Sequence, residues 1–385
     1  MQDSSGDRAE PPKTPLTASA AQTHARFASL SVALLVASAA WAQATLKDGQ
    51  EIYRAACAAC HGFDGRGADR SLVGFDQPLP DFTDCNFASR EAAADWQTVV
   101  HGGGPARGFS QIMPAFGEAL TPEQIERVVD YLRGFCRDRA WPRGEMNLPR
   151  PLITSKAFPE DDSVLTTAVN VRDGGAITNK LVYERRLGAV HQVEAVVPLA
   201  FRDSPGGAWR GGVGDLALGY KRVLFHTSKP GSLVSVVGEL VLPTGDKTRG
   251  FGKGVTVLEP YVAWAQLLPL SSFLQFQGGF ELPTHTDDAS RAAFWRFALG
   301  RELIQSGSGR LWVPMVELLA DRDLVSGAAT LWDAVPQLQF SLSRRQHIRA
   351  NVGLRLPINQ TSGRPVQVMF YLLWDRFDGG LREGW

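Results

Sequence analysis

Net charge is absent from this chain: 40 Lys and Arg balance 40 Asp and Glu over 385 residues. That balance gives no support for a nucleic-acid partner. Cysteine is scarce, with four in all. Long apolar runs are also missing. The most apolar stretch, Phe27 to Val36, is too short to span a bilayer as a helix. A phosphate loop is excluded as well, because Gly102-Gly103-Gly104-Pro105 follows no strand and opens no helix; it reads as a flexible loop. What remains is a chain too long for one small domain, rich in glycine (39) and tryptophan (10), which suits turns and an interfacial aromatic population.

Arg26 precedes the Phe27–Val36 run and Ala42-Gln43-Ala44 follows it, the layout of a secretory signal with a small-residue cleavage site. Residues 1–44 are therefore expected to be a signal peptide. Directly after them comes Cys57-Ala58-Ala59-Cys60-His61. In this C-x-x-C-H spacing two thiols can add across the two vinyl groups of haem, and the next residue sets an imidazole under the iron. A redox or zinc dithiol is the competing reading. Export fits haem attachment, and it also favours a disulfide between the two remaining thiols, Cys85 and Cys136.

Around the motif, residues 46–56 and Arg90 to Val100 read as helices. Thr121-Pro122-Glu123-Gln124 supplies an N-cap, a first-turn proline and a capping box, with Ile125, Val128, Val129 and Leu132 recurring at helical spacing behind it. Between the last two helices lies Ile112-Met113-Pro114. This order resembles a mono-haem class I cytochrome c over residues 45–136. The resemblance implies one covalent haem c held by Cys57 and Cys60, with His61 and Met113 as the axial iron ligands. Met146 and His101 are the rival sixth ligands. With both axial positions filled, outer-sphere electron transfer is expected and no catalytic residue is assigned; a peroxidase-like haem enzyme would need an open iron. A carbonyl near Pro78 or Pro80 is expected to accept the second ring N–H of His61.

Residues 137–160, with Pro142, Pro149, Pro151 and Pro159, read as a proline-rich, extended, semi-rigid linker. From residue 161 the hydrophobic period changes to two. Leu274, Phe276 and Phe280 alternate with Gln275, Gln277 and Glu281; Ile348, Val352 and Leu354 alternate with Arg349, Asn351 and Arg355. About twelve such segments follow, joined by alternately short and long connections, and the chain ends on Trp385. The fold expected is an all-α cytochrome domain followed by an antiparallel β-barrel of about 12 strands that crosses a membrane, over residues 161–385. Trp264, Trp295, Trp312, Trp332, Tyr371 and Trp374 are the candidate interfacial girdles. Glu194, Glu239, Glu281, Lys221, Arg296, Arg349 and Arg355 are the candidate lumen lining. Gly214 to Lys221 and Leu240 to Asp246 resemble the outer-membrane barrel family named for the MetA pathway of phenol degradation, and the whole is similar to fused cytochrome–porin proteins.

The expectation is an electron carrier, not an enzyme, in the cell outer membrane, with its haem domain in the periplasm or the lumen. Its partners would be outer-membrane lipid, a periplasmic redox protein and an extracellular electron donor or acceptor such as ferrous iron. The alternative is a small-solute channel with the cytochrome as gate or tether.

Overall fold

The computed structural model describes residues 48–75, 77–171, 175–203, 208–303 and 310–385. The signal segment and residues 304–309, within one of the expected short connections, lie outside the described residues. Among the described residues six α-helices come first: α1 (Gly49–Ala56), α2 (Ala58–His61), α3 (Arg70–Val73), α4 (Cys85–Ala88), α5 (Ala93–Gly102) and α6 (Pro122–Arg133). None of the described helices is long and apolar enough to cross a membrane.

Local chemistry sets their ends. Asp48 caps α1 by accepting from Glu51 N at 2.7 Å. At α6 the Thr121 hydroxyl accepts from Gln124 N while Gln124 Oε1 accepts from Thr121 N at 2.9 Å, the reciprocal box its sequence implies. The start of α5 is Ala93, three residues later than expected, because Arg90 is drawn away to the barrel. Helices α1 and α6 cross through Ile52 and Tyr53 on one side and Ile125, Val128, Val129 and Leu132 on the other, all buried. Their backbones touch at Gly49, where a Cβ would fall 2.1 Å from Arg127 O. Gly49→Ala gains at most about 1 kcal/mol of helix propensity, but the clash is with backbone and overpacking costs about 1–3 kcal/mol. A lowered thermal midpoint is the expected result; an unchanged or raised one contradicts this crossing. Cys85 and Cys136 form a disulfide with Cα atoms 5.0 Å apart and 51 residues of separation, a loop whose closure is worth about 4 kcal/mol in the chain-entropy model.

The strands are β1 (Asp162–Asn170), β2 (Ala176–Leu187), β3 (His191–Asp203), β4 (Trp209–Val213), β5 (Leu216–Thr227), β6 (Ser232–Leu242), β7 (Val257–Leu268), β8 (Ser272–Pro283), β9 (Ala292–Arg301), β10 (Trp312–Asp323), β11 (Leu331–Ser341), β12 (Ile348–Pro357) and β13 (Gln367–Asp375). Each pairs antiparallel with its neighbours; β1 closes on β13, and β2 on β3. Strands β4 and β5 continue one another along β3, interrupted at Gly214-Asp215. The result is a closed barrel of twelve strand positions. At roughly 11 residues, about 3.3 Å each and a tilt near 40°, its wall stands about 28 Å tall.

The polarity of that wall is inverted relative to a water-soluble barrel. Leu181, Val316, Val352 and Leu372 point outward and are 45–48% exposed, while Glu317 and Asn351 point inward at 0% and 1%. Trp264, Trp312 and Trp374 lie toward the end with short turns, and Trp295 and Trp332 meet edge to face at 5.9 Å toward the long-loop end. Tyr371 is not a girdle residue. It faces inward, buried, and donates its hydroxyl to Arg150 O at 2.7 Å. The run Met369 to Trp374 is apolar on both faces, so alternation alone could not assign its sides.

The lumen is occupied. The segment expected to be a semi-rigid linker passes, from Met146 to Glu160, through the inside of the barrel, and most of it is buried. Lumen side chains satisfy its irregular backbone. Gln337 Oε1 accepts from Leu152 N (3.0 Å), Glu317 from Ile153 N (3.1 Å) and Thr154 N (2.6 Å), and Gln277 from Ser155 N (3.0 Å). Gln275 and Ser235 donate to Pro149 O and Ala157 O. Its prolines leave fewer N–H groups to satisfy where the chain is buried. Met146, Leu148 and Phe158 pack with Val223, Leu233, Tyr261 and Phe273, and Arg150 pairs with Glu184. Of the expected lining, Lys221 is buried against Phe158 O, and Arg355 pairs with Asp333 at 2.7 Å.

Candidate functional site

Cys57 is both the end of α1 and the start of α2; its N–H donates to Tyr53 O at 2.9 Å. Cys60 N and His61 N then both return to Cys57 O, at 3.2 and 3.0 Å. One helical turn therefore brings Cys57, Cys60 and His61 together on one side, at i, i+3 and i+4. Gly62, with φ of +73°, stops the turn, and Gly67 N and Ala68 N fold the following loop back onto His61 O and Cys60 O.

Both motif thiols are unpaired. Burial, reinforced by Cys60, pushes the Cys57 thiol up to about 11. At neutral pH it is a thiol and not a thiolate, which disfavours dithiol exchange there. Burial lowers the His61 pKa, so the ring stays neutral with a lone pair to offer a metal. His61 packs against Phe82 at 5.1 Å, and Phe82 leans on Trp96 at 5.4 Å. Its Nδ1 is buried with no hydrogen-bond partner among the described residues, so the expected carbonyl from the Pro78–Pro80 stretch does not meet it. Two thiols a turn apart, a neutral imidazole and an aromatic wall fit a covalent haem.

One residue the sequence reading passed over braces this turn. Tyr53 OH donates to Gly62 O at 2.5 Å and to His61 O at 3.2 Å. Its ring is fixed by Tyr131 (5.4 Å) and Phe135 (5.5 Å). The signal available was its place, four residues before Cys57 on the buried face of α1.

Met113 is half-buried on the loop between α5 and α6. Gly104 N donates to Met113 O at 3.0 Å, and a Cβ on Gly103 would lie 2.8 Å from the same oxygen. The glycine run is thus a close approach of two backbone segments, not a loose loop. The rival ligands are engaged elsewhere: Met146 belongs to the barrel core, and the His101 ring lies against Gly117, where a Cβ would be 2.7 Å from its Nε2.

The helical unit meets the barrel at its short-turn end. Arg90 pairs with Asp161 at 2.6 Å and lies 4.0 Å over the Phe377 ring. Arg345 donates to Gly108 O at 2.9 Å and covers the Phe109 ring at 4.5 Å. Arg107 donates to Arg345 O at 3.2 Å. Glu91 and Asp378 face one another across this seam, two buried carboxyls for which ionisation of both is costly. Asp95, Asp375, Arg107 and Arg349 are the other charges facing them. Burial raises both, Glu91 well above the carboxylate range and Asp378 to about 6. The seam therefore holds more protons than the separated parts. Its stabilisation is complete below about pH 4; the Asp378 share is lost as pH rises through about 6 and the Glu91 share above that. Protection of residues 376–385 against hydrogen exchange, taken relative to the intrinsic base-catalysed rate, should fall from pH 5 to 7, and Asp378→Asn should flatten that profile; a pH-independent protection contradicts it.

Residues 44–132 match the family described as cytochrome C oxidase, cbb3-type, subunit III. No curated protein matches the chain. Among solved structures, an outer membrane channel from Pseudomonas putida F1 is 13% identical with a TM-score of 0.40, covering 59% of this chain and 99% of that one. The KdgM porin (8%, 0.38, 55% and 98%) and the NanC porin (8%, 0.39, 55% and 97%) are similar in the same way. At these values the structures carry no functional argument. The helical unit is a cytochrome c domain, which implies haem c, joined in one chain to a closed antiparallel β-barrel.

Proposed function

We propose that this protein is a haem c electron carrier held in the bacterial outer membrane by its barrel. The observation that carries the reading is that the helical unit holding the His61 turn meets the short-turn end of a barrel whose outer face is apolar. An exposed apolar belt about 28 Å tall, bounded by tryptophans, suits hydrocarbon and not water. Short turns face the periplasm in such barrels, which puts the cytochrome domain on that side.

Cys57 and Cys60 would hold one haem, with His61 and Met113 as its axial ligands. The bound group supplies a one-electron iron centre. Tyr53 and Phe82 fix the imidazole, and the loop tied to Gly104 presents the thioether, which favours ferrous iron. With both axial sites taken, the chain shuttles electrons without transforming a substrate. The plug occupies the lumen from its short-turn end to about mid-wall, and one haem cannot bridge a band about 25 Å tall. Its direct partner is therefore a periplasmic redox protein, and an external donor or acceptor such as ferrous iron reaches it through a further carrier.

Intact cells exposed to a membrane-impermeant redox agent should leave the haem unchanged, and permeabilised outer membranes should let it respond. A response in intact cells contradicts the periplasmic placement; none in either contradicts electron carriage. The second reading, a small-solute channel gated by the cytochrome, is favoured by the plug's direct attachment to the cytochrome domain. It requires the plug to leave.

A further inference from the structure

A cleft of about 430 Å³ opens at the seam between the end of α6, residues 138–146 and the turn after β5. It plays no part in holding haem. Its walls carry an excess of unmet donors. Ser89 and Arg133 are each 3% exposed, yet Ser89 Oγ and Arg133 Nε have no hydrogen-bond partner. Buried polar groups are nearly always paired; both residues line the cleft, and their two unmet donors are closed to solvent, so an acceptor in the cleft reaches them only when the side chains turn toward it. The rest of Arg133 is engaged: Nη2 with Glu145 at 2.8 Å and Nη1 with Glu91 O at 3.1 Å.

The remaining lining has the same bias. Arg139 and Arg143 line the cleft and are exposed, with the Ser228 hydroxyl opposite on the barrel turn. The two carboxylates present are already used, Glu145 by Arg133 and Asp138 by Ala140 N at 2.9 Å. Arg133, Arg139 and Arg143 line one cleft together with the Ser89 and Ser228 hydroxyls, a set richer in donors than acceptors that suits a tetrahedral oxyanion better than a water cluster, since arginine donates without accepting. The volume suits a ligand of modest size.

We propose that this cleft binds a phosphate-bearing anion, wedged between the cytochrome domain and the barrel. Two sources share that chemistry. One is a free phosphate ester in the periplasm. The other is the headgroup of a phospholipid, because β6 opens after this turn on Ser232, the partner of Trp264 Nε1 at 2.9 Å, at the edge of the apolar belt.

The test uses the full-length holoprotein in phosphate-free detergent solution, titrated with inorganic phosphate against chloride at matched ionic strength. In parallel, it is reconstituted into phosphatidylcholine vesicles with and without phosphatidylglycerol. Saturable binding of inorganic phosphate assigns the free-ligand source; a thermal shift only with phosphatidylglycerol assigns the lipid source. In either arm the R139Q/R143Q double variant should weaken binding about tenfold or more, since each charge-assisted hydrogen bond lost is worth about a decade. Its haem spectrum and circular dichroism should stay unchanged. S89A, a change inside the cleft that removes no charge, should weaken binding by a smaller factor. Absence of a response in both arms, or binding indifferent to R139Q/R143Q, overturns the site.

Discussion

Met113→Ala should lower the haem midpoint potential by about 0.2 V, a quarter of the roughly 0.8 V over which axial ligands tune haem iron. For a one-electron couple that is more than three decades in the electron-transfer equilibrium. It should also convert a low-spin six-coordinate spectrum to one with an open or water-filled position. Covalent haem content should not change, because Cys57, Cys60 and His61 are untouched. Nor should the loop collapse: Gly104 N bonds the Met113 backbone oxygen and not its side chain. Met146→Ala gives the contrast. It should leave the potential alone and destabilise the barrel by about 2–5 kcal/mol, as expected for emptying a packed core position, since Met146 is 1% exposed among Leu148, Phe158 and Leu233. Redox titration and thermal unfolding of the two variants separate these roles. An unaltered potential in the first, or a shifted one in the second, contradicts the ligand assignment.

Replacing residues 149–159 by a short Gly/Ser connector should turn a silent barrel into a conducting one. The wild-type protein should show little current in a planar bilayer, because a buried chain segment crosses its lumen, tied by hydrogen bonds worth about 1 kcal/mol each. A twelve-strand lumen emptied of that segment is wide enough for hydrated ions, so conductance should rise roughly tenfold or more. Glu317→Ala is the milder version. It removes the acceptor of Ile153 N, Thr154 N and the Thr154 hydroxyl and should give intermittent openings. Equal conductance in wild type and deletion would mean that the segment does not close the pore, and the gated-channel reading would gain.

Much of the architecture was legible in the chain because each piece has its own periodic signature. The capping box at Thr121 and the thiol spacing at Cys57 are short-range chemistry, and the strand faces follow from a two-residue alternation that hydrocarbon outside and polar groups inside both enforce. What failed to show had no local signature. A run of prolines and charges reads the same whether it spans open water or a lumen; only the Gln and Glu side chains of distant strands make the second environment tolerable. Arg90 looked like the first turn of a helix, but its partner, Asp161, is 71 residues away. Tyr371 sat in a stretch apolar on both faces, where a one-residue choice of side decides everything. Tyr53 was visible only as a buried helical position; its hydrogen bond to Gly62 O depends on how the chain turns after the motif. Gly103 and Gly104 read as flexibility, when what they supply is room for the Met113 backbone.

The most direct test is the stoichiometry and ferric spectrum of the exported, purified protein. One covalently bound haem per chain, low-spin, with a methionine-to-iron charge-transfer band that disappears in Met113→Ala, is the result expected. Protein without bound haem, or haem whose spectrum shows another sixth donor, contradicts it.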